Sequence, residues 1–228
     1  MKWFETGGFA SLDAFDLSPV RIADAQRRAC EAGVSDRLHF SVADVRSYDG
    51  VSESYDIVLI EDALHHFSPT EKILGMVREW LRAGGILVLN EYVGPSRFQW
   101  TRAQLTIVND LLNEFPEYLR IRDDGTRKPE VHRPGTLTMR LYDPSEAIQS
   151  SRILPAIRSL FDVQQERPYG GTILHLLLKD LAHHFVTLDD ERRALLVHCC
   201  EEEDRSMANG TLRSDFAAVI ARKLSPTG

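Results

Sequence analysis

Residues 12–34, LDAFDLSPVRIADAQRRACEAGV, place a short apolar strand directly before a helix. The strand ends in an acid, Asp16, and the pair Ser18–Pro19 is typical of a capped helix start. Small and apolar residues then recur at helical spacing as far as Gly33, which predicts the helix end. A strand that ends in an acid and continues into a helix is the second half of a nucleotide-binding βαβ unit.

The first half of such a unit, a strand followed by a glycine-rich loop, is missing before this stretch. Only eleven residues precede Leu12, and the sequence contains no Gly-x-Gly. The pair Gly7–Gly8 is predicted to form a turn between a helix and the strand, not a cofactor loop. The pattern of strands and helices therefore starts one βα unit late.

The following segments continue the alternation of strands and helices. RLHFSVADV (37–45) predicts a strand, and YDIVLIED (55–62) is a continuous apolar run, as in strands that are buried on both faces. Ser68, Pro69 and Glu71 predict a capping box for the next helix, which leads into the strand ILVLNEYV (86–93). This alternation predicts an α/β fold with a doubly wound, mostly parallel sheet.

The second half of the chain departs from this rhythm. An amphipathic helix is predicted within 97–115, and a polar loop rich in proline and glycine follows at 122–135. A further helix is predicted over 142–160, capped by Asp143 and broken near Pro155. The remaining predicted elements are a strand at 161–169, helices within 171–185 and 189–208, and a closing strand at 214–223.

Composition and charge argue against several classes of protein. A formal net charge of -7 without any block of Lys or Arg argues against nucleic-acid binding. No apolar stretch is long enough for a membrane span, and the N-terminus lacks the apolar core of a signal peptide. Cys30, Cys199 and Cys200 do not suggest a disulfide framework, so we predict a cytoplasmic location.

Acids follow four consecutive predicted strands. Asp16 and Asp44 end the first two, Glu61 and Asp62 end the third, and Glu91 lies at the end of the fourth. Doubly wound sheets bind their ligands at the carboxyl ends of the strands. We therefore predict that these acids form a ligand-binding rim.

The chain resembles class I S-adenosylmethionine-dependent methyltransferases, in particular the small-molecule branch related to the quinone-biosynthesis enzymes. The resemblance covers 9–93, 144–169 and 213–223, and five motifs carry it in the family's order and spacing: FDLSP, VADV, YDIVLIEDALHHF, LRAGGILVLNEY and FAAVIARK. It implies one methyltransferase-like domain over 1–228 with a Rossmann-like sheet, an antiparallel last strand and no first strand. Helical lid insertions are predicted at 94–143 and 171–212.

The resemblance also implies S-adenosyl-L-methionine as the cofactor and assigns residues to it. Asp16 matches the acid that holds both ribose hydroxyls, a task that suits a carboxylate because it accepts two hydrogen bonds. Leu17 matches the residue that packs on the adenine. Asp44 matches the acid that accepts the adenine amino group, with Val45 beside it.

The segment after the third predicted strand corresponds to the methionine end of the cofactor and the substrate mouth. Within it, Glu61 and Asp62 are assigned to the cofactor. His65 is the predicted base, because histidine titrates near neutral pH, and Glu91 is also assigned to catalysis. The predicted substrate contacts are His66, Tyr92 and Trp100. The alternative for each of these residues is a structural role in packing or hydrogen bonding.

The family's first strand and glycine loop, which cradle the methionine part of the cofactor, have no match in this sequence. We therefore expect either a truncated gene model or a degenerate member without cofactor. Two other functions stay open, namely an inactive methyltransferase-fold scaffold and an NAD or nucleotide-sugar enzyme. The predicted partners are a small-molecule acceptor, methylated at O, N or C, and a second copy in a homodimer. No metal site is predicted, because the adjacent pairs His183–His184 and Cys199–Cys200 point in different directions on a helix.

Overall fold

A computed structural model describes residues 8–224 and divides the chain into two compact units, Met1–Val51 and Ser52–Gly228. The turn predicted at Gly7–Gly8 lies partly outside the described residues. The single domain predicted over 1–228 stays a prediction. None of the described helices is long and apolar enough to cross a membrane.

The first unit contains the strand and helix predicted within residues 12–34. Strands β1 (Leu12–Asp16) and β2 (Leu38–Val42) form a parallel pair in which Asp16 lies opposite Val42. Helix α1 (Pro19–Glu31) connects them, and the Ser18 hydroxyl accepts a hydrogen bond from the Arg21 amide at 3.3 Å. The predicted strand, cap and helix are therefore confirmed.

The second unit is built on a four-stranded sheet in the order β3-β4-β6-β5. Strand β3 runs parallel to β4, whereas β6 runs antiparallel to both of its neighbours. The predicted mixed α/β fold with an antiparallel last strand is confirmed. The strands are β3 (Tyr55–Glu61), β4 (Leu81–Tyr92), β5 (Asp162–Gly170) and β6 (Phe216–Arg222).

The prediction that β3 is buried on both faces is wrong. Ile57 is 39% exposed and Leu59 is 49% exposed, and both side chains lie on the same face because they are two residues apart. Strand β3 is the last strand on its side of the sheet, and among the described residues no strand pairs with its other edge. Helix Thr70–Trp80 packs on β4, and helices Ile153–Leu160 and Asp190–Ala208 pack on β5.

Six helices accompany this sheet: α2 (Thr70–Trp80), α3 (Arg102–Glu114), α4 (Thr136–Tyr142), α5 (Ile153–Leu160), α6 (Leu174–Leu178) and α7 (Asp190–Ala208). The capping box predicted from Ser68 is wrong, because neither Ser68 nor Pro69 caps α2 with a side chain. The Thr70 amide instead donates to the side-chain oxygen of Gln149 at 2.9 Å. A residue distant in sequence therefore replaces the local cap.

The long helix predicted over 142–160 is also wrong. Helix α4 ends at Tyr142, the residues that follow are irregular, and α5 begins only at Ile153. Ala147 is fully buried with a φ of 47°, a conformation that an α-helix does not contain. Pro155 lies in the first turn of α5, where proline is tolerated, so it does not break the helix.

The two predicted insertions share one hydrophobic cluster. It contains Val108 and Leu112 of α3, Leu177 of α6 and Cys199 of α7, all of them fully buried. Because this cluster joins 94–143 with 171–212, the segments predicted as lids pack on each other in the second unit. Their function as lids stays a prediction.

Charged side chains hold the short helix α6 at both ends. At its N-terminus, the buried carboxylate of Glu203 accepts hydrogen bonds from the amides of Gly171 (2.9 Å), Ile173 (2.6 Å) and Leu174 (2.9 Å). At its C-terminus, the buried ammonium of Lys128 donates to three backbone carbonyl oxygens, those of Leu176, Leu177 and Lys179. Both ends thereby satisfy backbone groups that a helix leaves unpaired.

Asp215 is a buried acid in the same region. Gln104 donates its side-chain amide to an Asp215 carboxyl oxygen and to the Thr172 carbonyl, both at 2.8 Å. Burial raises the pKa of Asp215 to about 7, although the hydrogen bond from Gln104 opposes that shift. In the unfolded chain the pKa of an aspartate is about 4. The raised pKa means that folding favours the protonated acid.

The free energy of unfolding should therefore depend on pH through Asp215. The contribution of this group is complete below about pH 4 and is lost as the pH rises through about 7, because ionising the buried carboxyl is costly. Relative to wild type, Asp215→Asn should gain about 2–3 kcal/mol of stability between about pH 5 and pH 8. Urea denaturation at both pH values measures this, with exposed Asp204→Asn as the control. A pH-independent difference between Asp215→Asn and wild type would contradict the raised pKa.

Candidate active site

The ends of β3 and β4 bring His65 and Glu91 together. His65 lies in a short 3₁₀ turn, Leu64–His66, just after β3, and Glu91 is the penultimate residue of β4. The His65 Nδ1 atom lies 2.7 Å from the Glu91 Oε2 atom, and both residues are buried. Because the parallel strands end at the same edge of the sheet, two residues 26 positions apart form one pair.

Backbone amides fix the carboxylate of Glu91. Its Oε1 atom accepts hydrogen bonds from the amides of Ala63, at 2.6 Å, and of Leu64, and its Oε2 atom accepts one from the Tyr92 amide at 3.0 Å. Only 1% of Glu91 is exposed, so these bonds replace solvation of the charge. The carboxylate therefore has one orientation and keeps one hydrogen-bond position for His65.

The carboxylate also decides which nitrogen of His65 carries the proton. Since an ionised carboxylate only accepts hydrogen bonds, Nδ1 is the donor, and the lone pair of the neutral ring lies on Nε2. Burial lowers the pKa of His65. The hydrogen bond to Glu91 and the negative charges of Glu91, Glu146 and Asp62 outweigh burial and hold that pKa above its usual value. His65 is thus a more basic imidazole than a free histidine.

Glu146 joins this pair from a distant part of the chain. Its carboxylate lies 3.6 Å from His65 Nε2 and 3.8 Å from His66 Nδ1. Glu146 was not predicted as a site residue, because the local pattern places it in the first turn of a helix that does not form. No local pattern around Glu146 points to His65, and only the fold brings the two segments together.

His65, His66 and Glu146 line a cavity of about 490 Å³. The side-chain rings that line this cavity belong to Tyr92, Phe98, His175 and Phe216. Its polar lining consists of Asp62, His65, His66, Asp143, Glu146 and Lys179. The cavity thus combines aromatic walls with a buried, oriented imidazole, which is the usual composition of a small-molecule site.

A second depression, of about 500 Å³, lies along α3 beside residues 130–133. It is lined mainly by exposed or half-buried polar side chains, such as Asn109 and Arg133. The buried His65–Glu91 pair lies elsewhere, so we take the His65 cavity as the candidate active site.

Of the three predicted substrate contacts, His66 and Tyr92 line the cavity and Trp100 does not. Burial raises the pKa of the Tyr92 phenol, which donates to the Pro95 carbonyl at 3.2 Å, so Tyr92 serves as a neutral wall. Trp100 stacks on Phe98 with ring centroids 5.2 Å apart and belongs to the hydrophobic cluster of the insertions. The aromatic residue that lines the cavity is therefore Phe98 and not Trp100.

The residues assigned to the nucleoside lie in the first unit and differ in how well they suit a ligand. One oxygen of Asp16 accepts the Ser18 amide at 2.7 Å, and the other lies 3.6 Å from exposed Arg21. Leu17 is 62% exposed at the end of β1, so it offers an apolar surface to a flat ring. These two residues suit a nucleoside.

Asp44 and Val45 suit the predicted role less well. The Arg46 guanidinium donates to both carboxylate oxygens of Asp44 and holds the pKa of that acid below its usual value. Val45 is only 7% exposed. The Arg46 guanidinium therefore competes with an adenine amino group for the carboxylate of Asp44.

Glu61 and Asp62 lie at the end of β3 in the second unit, and both are exposed. The Asp62 amide donates to the Asn90 carbonyl at 2.9 Å, and the backbone of Asp62 has a φ of 49°. Asp62 lines the cavity, whereas Glu61 does not. Their assignment to the cofactor stays a prediction.

The buried cysteine Cys199 shows no sign of catalysis. Burial raises the pKa of Cys199 to about 12, so its thiol stays protonated at neutral pH. Cys199 instead belongs to the hydrophobic cluster of the insertions. His184, the neighbour of His183 in sequence, forms a structural hydrogen bond from its ring Nε2 to the Ile121 carbonyl at 2.6 Å.

Comparison with known proteins agrees with this architecture. Residues 2–85 match a family model described as a methyltransferase domain. Over 92 residues the chain is 30% identical to erythromycin 3''-O-methyltransferase of Saccharopolyspora erythraea, a match that covers 40% of this chain and 30% of that enzyme. The crystal structure of geranyl diphosphate C-methyltransferase from Streptomyces coelicolor A3(2), with Mg²⁺, geranyl diphosphate and S-adenosyl-L-homocysteine, aligns with a TM-score of 0.56. The sequence identity is 11%, and the alignment covers 98% of this chain and 67% of that chain.

The chain has the class I methyltransferase fold. An S-adenosylmethionine-dependent methyltransferase from Mesorhizobium loti aligns over 97% of this chain and 84% of its own, with 18% identity and a TM-score of 0.51. The fold that the sequence resemblance implied is thereby confirmed. The match covers only 30% of the length of the Saccharopolyspora erythraea enzyme and 24% of the length of a second relative, an uncharacterised protein of Synechococcus sp..

Within this methyltransferase fold, the sequence-predicted pair His65 and Glu91 occupies the ends of two adjacent parallel strands. Glu146, Phe98, His175 and Phe216 complete the cavity and were not predicted. Phe216 begins the correctly predicted strand β6, so its position beside the strand ends was a usable signal, whereas Phe98 lies in a 3₁₀ turn before α3. Glu146 had none.

Proposed function

We propose that this chain transfers a methyl group from S-adenosylmethionine to a hydroxyl oxygen of a small molecule bound in the His65 cavity. The observation that carries the proposal is the buried His65–Glu91 pair, whose free imidazole nitrogen lies at a cavity with aromatic walls. The methyltransferase domain match and the methyltransferase fold support the reaction type.

Oxygen is the favoured acceptor atom because an alcohol is a poor nucleophile. A neutral hydroxyl holds its proton firmly and gains from a base that removes it as the new bond forms. A neutral amine already offers a free electron pair and gains little from such a base. An imidazole that is fixed and made more basic by a buried carboxylate therefore favours a hydroxyl acceptor.

In this mechanism His65 Nε2 accepts the hydroxyl proton. S-adenosylmethionine, when bound, supplies a methyl group on a positively charged sulfur. Glu91 holds the imidazole in one orientation and stabilises the imidazolium that forms, because its charge lies 2.7 Å from Nδ1. Tyr92, Phe98 and Phe216 exclude water from the acceptor, which strengthens these electrostatic interactions.

We assign the nucleoside part of the cofactor to the first unit. Asp16 would hold the ribose hydroxyls and Leu17 would pack on the adenine, as their exposure at the end of β1 supports. Asp44, with Val45 beside it, is proposed for the adenine edge. Glu61 and Asp62 of the second unit are proposed for the methionine end.

The cofactor assignment is tested by calorimetric titration with S-adenosylhomocysteine. Asp16→Asn keeps an oxygen for the Ser18 amide but loses the charge, so binding should weaken by about 10–100-fold. Asp36→Asn, an exposed acid of the same unit, is the matched control and should bind as wild type does. Equal binding by Asp16→Asn would contradict the ribose assignment, and no binding by folded wild type would contradict cofactor use by this chain.

The alternative functions have less support. In an inactive scaffold, the arrangement of His65 and Glu91 would have no function. The buried Glu91 carboxylate accepts three backbone amides and orients a basic imidazole at a cavity. An NAD or nucleotide-sugar enzyme agrees less well with the methyltransferase domain match over residues 2–85. Homodimer formation and a cytoplasmic location stay predictions.

A further inference from the structure

We propose that His65, His66 and Glu146 form a binding site for a divalent transition-metal ion. One donor atom from each residue lies within 4.8 Å of the other two. The Glu146 carboxylate is 3.6 Å from His65 Nε2 and 3.8 Å from His66 Nδ1. No metal site was predicted from the sequence, where the candidate ligands were the histidines and cysteines of 183–200.

His65 is prepared as a ligand by its second nitrogen. Because Nδ1 donates to Glu91, the lone pair lies on Nε2, the atom that is close to Glu146. Metal-binding histidines usually donate their other N–H to a carboxylate in this way, which fixes the ring and makes it a stronger ligand. The pair His65–Glu91 therefore has the outer-shell arrangement of a metal site.

His66 supplies a nitrogen that has no other partner. Its Nδ1 atom is buried and accepts or donates no hydrogen bond among the described residues. A buried polar atom without a partner is unusual in a folded protein and calls for an explanation. The His65 and His66 ring centroids are 4.2 Å apart, and both rings face the same carboxylate. A metal ion would satisfy this nitrogen.

Backbone hydrogen bonds hold Glu146 in place. The Arg97 side chain donates to the Glu146 carbonyl at 3.3 Å, and the Arg97 amide donates to the Ala147 carbonyl at 2.6 Å. The Ile148 amide donates to the His65 carbonyl at 3.1 Å. The segment with the carboxylate is thus tied directly to the turn with the two imidazoles.

The donor set selects the class of metal. Two imidazoles and one carboxylate suit Zn²⁺, Co²⁺, Ni²⁺ or Fe²⁺, whereas Mg²⁺ and Ca²⁺ prefer oxygen ligands. Bonds of about 2.0–2.2 Å to a common ion place two ligands about 3–3.5 Å apart. The Nε2–Oε1 distance of 3.6 Å and the Nδ1–Oε2 distance of 3.8 Å need to close by a few tenths of an ångström, and all three donor atoms lie within 4.8 Å of one another before an ion draws them together.

The neighbouring group Asp62, His65 and Glu91 is a weaker candidate. Both Glu91 oxygens already accept backbone amides, and one of them also accepts the His65 Nδ1 proton. Binding a metal there would break these buried bonds. At the proposed site the ligand atoms have no such bonds to lose, so the ion belongs with Glu146.

A bound metal would remove His65 from catalysis. The ion binds the Nε2 lone pair. In the proposed function, that lone pair takes the proton of the substrate hydroxyl. Metal should therefore inhibit methyl transfer, and this consequence rests on that function. Metal binding itself does not rest on it, because it needs neither cofactor nor acceptor.

The test is titration of the full, untagged chain with Co²⁺, followed through the visible absorption bands of the protein-bound ion. Wild type should bind one equivalent, and Zn²⁺ should displace it. His66→Asn and Glu146→Gln should each weaken binding by about tenfold or more. His183→Asn is the matched control, because His183 also adjoins a histidine and lies 3.1 Å from an acid, Asp123, and it should bind as wild type does.

Thermal unfolding of each variant shows whether it is folded before binding is compared. Absence of bound Co²⁺ in folded wild type would overturn the site, as would unchanged binding in both folded variants at 66 and 146. If one equivalent binds and methyl transfer continues unchanged, the site stands and the assignment of His65 as the base is wrong. The two proposals can therefore fail separately.

Discussion

Replacing His65 by Asn is expected to lower the rate of methyl transfer by about 10²–10⁴-fold, the usual contribution of a positioned general base. Asparagine fills similar space but has no nitrogen lone pair to accept the hydroxyl proton. Because His65 lies at the acceptor cavity, affinity for S-adenosylhomocysteine should change little. The loss should appear in kcat.

Formation of S-adenosylhomocysteine in the presence of a methylated acceptor measures this effect. His198→Asn is the control, since His198 is half-exposed on α7 beside Glu114 and outside the cavity. Its rate should match wild type. A His65→Asn rate within about threefold of wild type would contradict the base assignment, because a general base contributes far more.

Replacing Glu203 by Ala is expected to cost about 3 kcal/mol of the free energy of unfolding. Its carboxylate accepts three backbone amides at the start of α6, and alanine leaves those buried donors without partners. Each unpaired buried donor costs about 1–3 kcal/mol, although water can satisfy some of them. Helix α6 contributes His175 to the cavity, so the same change should weaken acceptor binding.

Urea denaturation of the full chain measures the loss of stability. Glu201→Ala is a matched control on the same helix, because Glu201 is exposed. Its effect should stay within about 0.5 kcal/mol. If Glu203→Ala is no less stable than Glu201→Ala, the three hydrogen bonds from backbone amides to Glu203 do not stabilise the fold as proposed.

The parts of the fold that the sequence predicted correctly are those specified by local patterns. The strand at 12–16, its cap at Ser18 and the helix after it follow from residues within a few positions of each other. The same is true of α3, which is amphipathic, and of α7, whose start is marked by the Asp189 cap. Elements whose signals are local can be predicted from a single sequence.

The errors arose where distant residues replaced local signals. Ser68 had the pattern of a cap, yet Gln149 caps α2 from a different segment. The run Asp143–Pro144 had the pattern of a helix start, yet Ala147 adopts a left-handed conformation and its carbonyl accepts the Arg97 amide. Tertiary hydrogen bonds determine the backbone conformation at both positions. Such bonds cannot be inferred from spacing along the chain.

The candidate site divides in the same way. His65 and Glu91 could be predicted because strand ends in a parallel sheet meet at one edge, so their positions after apolar runs were informative. Glu146 could not, because its place beside His65 depends on the irregular segment 143–149. Asp44 has the predicted position, but its neighbour Arg46 occupies its carboxylate, a detail that only side-chain geometry shows.

The most direct test of the account is the position of the methyl group in the product. The chain would be incubated with S-adenosylmethionine carrying an isotopically labelled methyl group and with a panel of small alcohols, amines and activated carbon acids. The account predicts one labelled product with the methyl group on oxygen, formed by wild type and almost absent with His65→Asn. A label on nitrogen or carbon, or an O-methyl product that His65→Asn forms at the wild-type rate, would contradict the claim that the His65–Glu91 pair activates a hydroxyl.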